Sequence, residues 1–180
     1  NSNSHALSSI FPRRSQINRG SRMLGDILRH IRYDIRIYWV GEGDGPDTDL
    51  IRKLAEKDRR LEFHSATFDE MPNWYRECEI CVIPTVACEG TSLSLLEGMA
   101  SGCAIVTTNV GGLTDIVQHG LNGLVCDVSA LQIAEAINQL IEKEDMRKTL
   151  SEEALATATR YSLSIWEERW RKVLLELGWL

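Results

Sequence analysis

The chain has 180 residues, a length typical of one domain with a single buried core. Its apolar and charged fractions, 43% and 26%, are ordinary for globular proteins and exclude disordered and fibrous classes. The net charge of −6 is uneven, because residues 1–40 carry +5 and the rest of the chain carries −11. This asymmetry argues against general nucleic-acid binding and favours a local anion site. Since no apolar run approaches the length of a membrane span and no secretory signal pattern opens the chain, we expect a cytoplasmic protein.

The N-terminal part of the chain predicts a strand, a loop rich in arginine and a helix. Residues 1–7 show no periodic pattern, and we interpret them as a tag or a piece of linker. A short strand is predicted for Ser8–Phe11, followed by a loop in which Asn18 is a candidate N-cap. Helical spacing then places five apolar side chains on one buried face: Met23, Leu24, Ile27, Leu28 and Ile31.

Two further strands follow, each with a loop at its carboxyl end. The first, Ile35–Val40, is rich in β-branched and aromatic residues and leads into a glycine cluster, Gly41–Pro46. A dinucleotide-binding fingerprint is an alternative for this cluster, but its third glycine comes one residue early and a proline follows. Leu61–His64 predicts the next strand, and the loop Ser65–Phe68 lies where ligands of open parallel sheets collect. The helix predicted next, Asp69–Cys78, has its first residue as the cap.

The helix after the fourth strand carries the residues best suited to ligand binding. The strand is predicted for Ile80–Pro84, and the helix begins near Thr91 or Ser92, either of which can cap its first turn. The N–H groups of that turn and the helix dipole together make an anion site. Glu89 lies before the helix, and Glu97 lies about five residues into it. Because carboxylates accept hydrogen bonds from sugar hydroxyls and do not bind phosphate, this arrangement indicates a ligand of the form sugar–diphosphate–ribose.

The remaining chain continues the alternation of strands and helices. After a strand at Ala104–Thr108, paired glycines, Gly111 and Gly112, offer backbone N–H groups that can approach sugar or phosphate closely. A strand at Leu124–Cys126 and a helix capped by Ser129 follow. Strand and helix thus alternate about six times, which predicts an α/β fold with a doubly wound parallel sheet of about six strands.

The cysteines favour a structural role. Their number, five, is odd, and they are scattered, unlike a secreted disulfide framework. Cys78 and Cys81 have C-x-x-C spacing, but no second pair of ligands stands near them in the sequence to complete a zinc site. We therefore predict buried, reduced thiols and no metal centre.

The segment from Glu89 to Glu97, with its Leu-Leu-Glu-Gly-Met-Ala-Ser-Gly continuation, resembles the E-x7-E signature of GT-B retaining glycosyltransferases. It is most similar to glycosyltransferase family 4, in the C-terminal domain that binds the nucleotide-sugar. The downstream Asn-Val-Gly-Gly-Leu-Thr-Asp fits the same pattern, and the likeness runs from about residue 10 to the end of the chain. The resemblance implies that residues 1–180 form one Rossmann-like domain, the C-terminal half of a GT-B architecture.

The resemblance also implies a set of site residues. Arg14 aligns with the arginine of the family's Gly-Arg pair, although Arg13 stands where the family has glycine, and Arg19 replaces the lysine of a Lys-Gly pair. Arg14 and Arg19 would then neutralise the diphosphate, whose negative charge grows as the glycosidic bond breaks. Glu89 would orient the donor sugar for catalysis, and Glu97 would hold the ribose. The other implied donor-binding residues are Gly90, Thr91, Ser92, Leu93 and Ser94, the base loop Ser65, Ala66 and Thr67, and the turn Gly111 and Gly112.

The implied function is transfer of a sugar from a UDP- or GDP-sugar to an acceptor, with retention, in polysaccharide or glycan biosynthesis. Because cations and a helix N-terminus meet the diphosphate, no metal or other cofactor is expected. The acceptor would bind to an N-terminal domain that this sequence lacks, so the chain alone is expected to be inactive. Any peripheral membrane association would come through that absent domain. A sugar-nucleotide epimerase of the same fold and a non-catalytic nucleotide-binding module are the alternatives.

The last segment, 162–180, resembles the closing helix of the family. Its apolar stripe, Leu163, Trp166, Trp170, Val173 and Leu177, has the helical spacing of a packed face. In two-domain GT-B enzymes this helix crosses back towards the N-terminal domain. We therefore predict that part of the stripe, around Trp170, is exposed in this chain or covered by a neighbouring molecule.

Overall fold

Six parallel strands form one sheet in the residues that the structure, a computed structural model, describes: 7–41 and 45–180. The strands are β1 (Ser8–Pro12), β2 (Arg36–Gly41), β3 (Leu61–Ser65), β4 (Ile80–Ile83), β5 (Ala104–Thr108) and β6 (Leu124–Cys126). Their order across the sheet is β3-β2-β1-β4-β5-β6. This order confirms the predicted doubly wound α/β fold. Residues 1–6 of the predicted tag or linker and residues 42–44 of the glycine cluster lie outside the described ranges.

Helices cover both faces of the sheet. They are α1 (Leu24–His30), α2 (Thr48–Lys57), α3 (Met71–Arg76), α4 (Leu93–Ala100), α5 (Ala130–Glu142), α6 (Glu144–Thr159) and α7 (Leu163–Glu176). Alternate strand residues point to opposite faces, so Phe11 and Trp39 stack in one core while Ile10 and Tyr38 join the other. The first core packs against α1, α2 and α5, the second packs against α3 and α4, and α6 contributes to both.

The order in which the chain adds strands to the sheet reverses between β1 and β4. Ser9 of β1 is in register with Ile37 of β2 on one side and with Ile80 of β4 on the other. The chain therefore leaves the carboxyl ends of these two neighbouring strands in opposite directions. In open α/β sheets a crevice forms at such a switch point, and ligands bind there.

The predicted N-cap of α1, Asn18, is wrong by several residues. Asn18 lies inside a 3-10 turn, Ile17–Arg19, because Gly20 ends that turn in left-handed backbone at φ 88°. The carbonyl oxygen of Asn18 accepts a hydrogen bond from the Val86 N–H at 2.9 Å, which ties this loop to the end of β4. A second 3-10 turn, Ser21–Met23, follows, so α1 begins only at Leu24.

The predicted Asp69 cap of α3 is replaced by a loop closed through Glu70. The carboxylate of Glu70 accepts hydrogen bonds from the N–H of Thr67 at 2.8 Å and from its hydroxyl at 2.9 Å. These bonds hold the turn before the helix, which then begins at Met71. Asp69 itself is exposed.

The C-terminal helices differ in how they contact the domain. α6 was not predicted, because its buried face is narrow and its buried side chains are few: Leu150 packs in the first core, and Ala154 and Ala158 pack in the second. Every side chain of α7 is partly or fully exposed, and Trp170 is 49% exposed, which confirms the predicted exposure of its stripe. Among the described helices, none is long and apolar enough to cross a membrane.

The cysteines are free thiols. Four are buried as predicted, and burial raises the pKa of Cys78 and Cys103 to about 12 and that of Cys126 to about 11. The prediction is wrong for Cys88, which is exposed at a left-handed φ of 50° just before Glu89. Since the thiolate is the reactive form, the buried thiols are expected to be inert.

Candidate functional site

A cleft of about 480 Å³ opens at the carboxyl ends of β1 and β4, at the switch point of the sheet. Its walls come from the loop after β1, the end of β2, the loop after β3, α3, and the start of α4. Nine of the predicted site residues line it: Arg14, Arg19, Ala66, Glu89, Thr91, Ser92, Leu93, Ser94 and Glu97. Residues far apart in the sequence are thus gathered in one concave site.

Two arginines meet one glutamate in the floor of the cleft. Nη1 of Arg13 lies 3.1 Å from Oε2 of Glu89, and Nη1 of Arg19 donates a hydrogen bond to the same oxygen. The Thr85 hydroxyl donates to that oxygen at 2.9 Å, and it accepts from Nη2 of Arg13 at 3.0 Å. The side chains of Arg13 and Glu89 are only 5% and 7% exposed, whereas that of Arg19 is 29% exposed. Glu89 is therefore held as a buried carboxylate between two cations.

The pKa values of this cluster reflect a balance of burial and charge. Burial raises the pKa of Glu89, but the hydrogen bond from Arg19 and the charge of Arg13 outweigh it, so the pKa lies below its ordinary value. Burial lowers the pKa of Arg13, and the Glu89 charge opposes that shift. An arginine nevertheless remains protonated in proteins. With two guanidinium groups and one carboxylate, the cluster carries a net positive charge.

The backbone after β1 fixes where Arg13 points. Its N–H donates to the carbonyl oxygens of Phe11 and Val40, both at 2.9 Å, so the strand exit is tied to β2. Gly41 packs directly over it, since a Cβ there would lie 2.5 Å from the Arg13 carbonyl oxygen. Arg14, the next residue, is exposed and lines the cleft.

The N-terminus of α4 opens into the same cleft. Of the two predicted caps the structure selects Ser92, whose hydroxyl accepts a hydrogen bond from the Leu95 N–H at 3.4 Å. The N–H groups of Leu93 and Ser94 belong to the first turn, which has no acceptor within the helix. Both residues line the cleft. A negatively charged group placed here would meet backbone donors and the positive end of the helix dipole.

Glu97 lies further along α4, on the side of the cleft facing α3. Its Oε2 accepts a hydrogen bond from the Tyr75 hydroxyl at 2.9 Å. Tyr75 is 1% exposed, and burial raises its pKa well above the ordinary value, with the Glu97 charge contributing in the same direction. Tyr75 is therefore a neutral donor that fixes the orientation of Glu97.

Five predicted binding residues are not among those that line the cleft: Ser65, Thr67, Gly90, Gly111 and Gly112. The two glycines after β5 support the Glu89 loop from behind. The N–H of Gly112 donates to the carbonyl oxygen of Glu89 at 3.0 Å, so this donor is engaged within the chain. A Cβ on Gly111 would lie 2.1 Å from the same carbonyl oxygen.

Comparison with known proteins identifies the family. The family described as glycosyl transferases group 1 matches residues 10–143. An uncharacterised glycosyltransferase of Methanocaldococcus jannaschii is 30% identical over 154 residues, which cover 83% of this chain and 42% of that protein. The chain belongs to the glycosyl transferases group 1 family.

Solved structures show the same architecture as this group 1 domain. The C-terminal domain of LpcC, a group 1 glycosyl transferase from Francisella tularensis, is 26% identical with a TM-score of 0.73, covering 88% of this chain and 87% of that one. HepE of Anabaena, solved in complex with UDP, has a TM-score of 0.86 at 20% identity, covering 96% of this chain and 50% of HepE. The chain thus spans about half of HepE, and its fold is that of the C-terminal domain of GT-B glycosyltransferases.

The sequence analysis missed two polar residues of this site, Arg13 and Thr85. Arg13 was noted only as a departure from the family's glycine, and Thr85 was not singled out. The sequence carried one signal for Arg13, its position just after the predicted first strand, where ligands of open parallel sheets bind. Its burial depends on Glu89, which is 76 positions away in the sequence and was not paired with it.

No group of three or more metal-ligating side chains stands together in the described part of the domain. The sequence also contains an Asp-x-Asp pattern, Asp47-Thr48-Asp49, that sequence reasoning overlooked. Asp47 accepts a hydrogen bond from the Ser21 hydroxyl at 2.5 Å and pairs with Arg22 at 3.3 Å, while Asp49 is exposed on α2. Asp47 therefore has a structural role at the start of α2.

Proposed function

We propose that this chain is the donor-binding half of a retaining glycosyltransferase of family 4, and that the cleft binds a UDP-sugar. One observation carries the proposal: three arginines, the N-terminus of α4 and two glutamates converge on a single cleft at the switch point of the sheet. The UDP complex of HepE, which has this fold, supports UDP over GDP as the nucleotide.

The diphosphate is assigned to the cationic end of the cleft. Arg14 and Arg19 supply the charge, and the first-turn N–H groups of Leu93 and Ser94 supply aligned donors. As the glycosidic bond breaks, negative charge accumulates on the departing phosphate. Fixed cations and backbone donors stabilise that charge without having to reorganise, which lowers the barrier.

The two glutamates are assigned to the sugars at either end of the diphosphate. Glu89 accepts hydrogen bonds from hydroxyls of the donor sugar and orients its anomeric carbon for attack. Glu97, oriented by Tyr75, accepts from the ribose hydroxyls. The loop Ser65–Thr67, of which Ala66 lines the cleft, contacts the base through backbone groups, and Phe68 closes that end.

The acceptor is assigned to an N-terminal domain that is not part of this sequence, since the chain spans 50% of HepE and 42% of its Methanocaldococcus relative. The isolated chain would then bind a nucleotide without transferring a sugar. The donor diphosphate takes the proton of the acceptor in this mechanism, so the cleft needs no separate general base. Detectable glycosyl transfer by the isolated chain would contradict this part of the proposal.

Calorimetric titration with UDP, GDP and uridine tests the assignment. We expect UDP to bind and GDP to bind more weakly. Arg14→Gln should weaken UDP binding about tenfold, the loss expected for a hydrogen bond to a charged group, and leave uridine binding unchanged. Glu97→Gln should weaken UDP and uridine alike, because both carry the ribose. Arg32→Gln, a surface arginine paired with Glu135 outside the cleft, is the matched control.

The outcomes separate the alternatives. If neither nucleotide binds, the chain is not a nucleotide-sugar domain in function, and the transferase proposal fails. If UDP binds but a complete protein that includes the N-terminal domain transfers no sugar, the non-catalytic module is the better description. Inversion of the configuration at one ring carbon of the sugar, with no acceptor consumed, would instead favour the epimerase.

A further inference from the structure

The Glu89 carboxylate has two cations where one would neutralise it. Arg13 and Arg19 both contact Oε2, and the three side chains together carry a charge of about +1. Removing one partner of a buried ion pair strongly destabilises the protein, because the other charge is left without compensation. An arginine that is the sole partner of a buried glutamate is therefore poorly able to turn to another anion.

The two arginines are held very differently. The Arg13 side chain is 5% exposed, and its guanidinium bridges Glu89 and Thr85. Thr85 is fixed in turn, since its carbonyl oxygen accepts from the Thr108 hydroxyl at 2.6 Å. Arg19 is 29% exposed, and its described polar contact in the cleft is the one with Glu89. Arg13 is thus locked by packing, while the Arg19 side chain can turn towards the cleft.

The backbone that carries Arg19 is itself fixed. Gly20 packs so closely on Pro84 that a Cβ there would lie 2.4 Å from the Pro84 carbonyl oxygen. The hydrogen bond from Val86 to Asn18 holds the other side of the loop. Any change of partner by Arg19 is therefore a rotation of its side chain about a stationary loop.

We propose that Arg13 is the permanent counter-ion of Glu89, and that its presence allows Arg19 to exchange Glu89 for the donor diphosphate when the nucleotide binds. The inference rests on the proposed function of the cleft and adds Arg13 to it as a positioning residue. Before binding, Arg19 shares Glu89 with Arg13. After binding, Arg13 alone keeps Glu89 ionised and aligned, and Arg19 contacts the phosphate.

UDP titrations test the exchange. In Arg13→Gln, Arg19 must stay with Glu89, so we expect UDP affinity to fall about tenfold or more. Adding Glu89→Gln to that variant releases Arg19 and should restore UDP affinity to within about threefold of the native chain, since UDP carries no sugar for Glu89 to contact. Arg13→Lys keeps the charge but not the two contacts of the guanidinium with Glu89 and Thr85, so its UDP affinity should lie between those of the native chain and Arg13→Gln.

Two results would overturn the exchange. If Arg13→Gln binds UDP as tightly as the native chain, Arg19 can leave Glu89 without Arg13 in place. A double variant as weak as Arg13→Gln would show that Arg13 contacts the phosphate directly or only supports the fold.

A measurement without nucleotide separates this inference from the proposed function. The Glu89 carboxyl is followed by NMR in glutamate-labelled chains as the pH is lowered from neutral. With Arg13 as the permanent counter-ion, Glu89 should stay ionised at neutral pH in Arg19→Gln. A Glu89 carboxyl that is protonated at neutral pH in Arg19→Gln would refute the role of Arg13 even if UDP binds, whereas failure of the native chain to bind UDP refutes the proposed function first.

Discussion

Gly111 provides a sharp test of how the fold supports the candidate site. It adopts a left-handed backbone at φ +54°, and a Cβ added there would lie 2.1 Å from the carbonyl oxygen of Glu89. The contact joins two backbone segments, so no side-chain rotation can relieve it. Gly111→Ala must therefore displace the loop that carries Glu89.

The expected loss of stability has two parts. An alanine in left-handed backbone costs roughly 1–2 kcal/mol. Overpacking against a fixed neighbour adds about 1–3 kcal/mol, so Gly111→Ala should lower the free energy of unfolding by roughly 2–5 kcal/mol. Gly120→Ala is the matched control, because Gly120 has a similar φ of +78° and no heavy atom within 4 Å of an added Cβ. That control should lose only the backbone part, roughly 1–2 kcal/mol.

Urea unfolding measures both losses, and UDP titration measures the effect on the site. Gly111→Ala should weaken UDP binding, since Glu89 and the start of α4 move with the loop, while Gly120→Ala should bind UDP as the native chain does. Equal losses of stability in the two variants would refute the steric argument. Unchanged UDP binding in a destabilised Gly111→Ala would show that the loop position does not govern the site.

Three further predictions address single contacts. Tyr75→Phe removes the donor that orients Glu97 and should weaken UDP binding roughly threefold to tenfold with a stability loss of about 1 kcal/mol, as titration and urea unfolding would show. Ser92→Ala should cost about 1 kcal/mol in urea unfolding as the cap of α4, whereas Thr91→Ala should cost little, and equal effects would contradict the cap assignment. A thiol reagent followed by mass spectrometry should label Cys88 at once in the native chain and the other four cysteines only on unfolding.

The sequence predicted those parts of the molecule that depend on local patterns. β5 and β6 begin and end where their β-branched and apolar runs do, and Ser129 caps α5 as its position before an amphipathic segment indicates. The strand before Arg13 was also found, although its central place in the sheet was not. Apolar alternation and capping hydroxyls act over a few residues, so they can be recognised without knowing the fold.

The missed features depend on contacts between distant parts of the chain. Asn18 resembles a helix cap locally, but its carbonyl is required by Val86 at the end of β4. α6 has so narrow an apolar face that its helix is defined mainly by packing against the two cores. The pairing of Arg13 with Glu89 follows from no spacing rule, because it exists only when β1 and β4 are neighbours.

The position of β1 beside β4 also explains why the site carries surplus positive charge. The strand exits meet at the switch point, which brings the loop after β1 against the loop after β4 and buries Glu89 between them. A carboxylate buried there requires a cation whether or not a ligand is present, because an unpaired charge in that position is strongly unfavourable. Arg13 meets this requirement from within the fold. In the proposed function, the charge of Arg19, on the more exposed side of Glu89, then remains for the donor diphosphate.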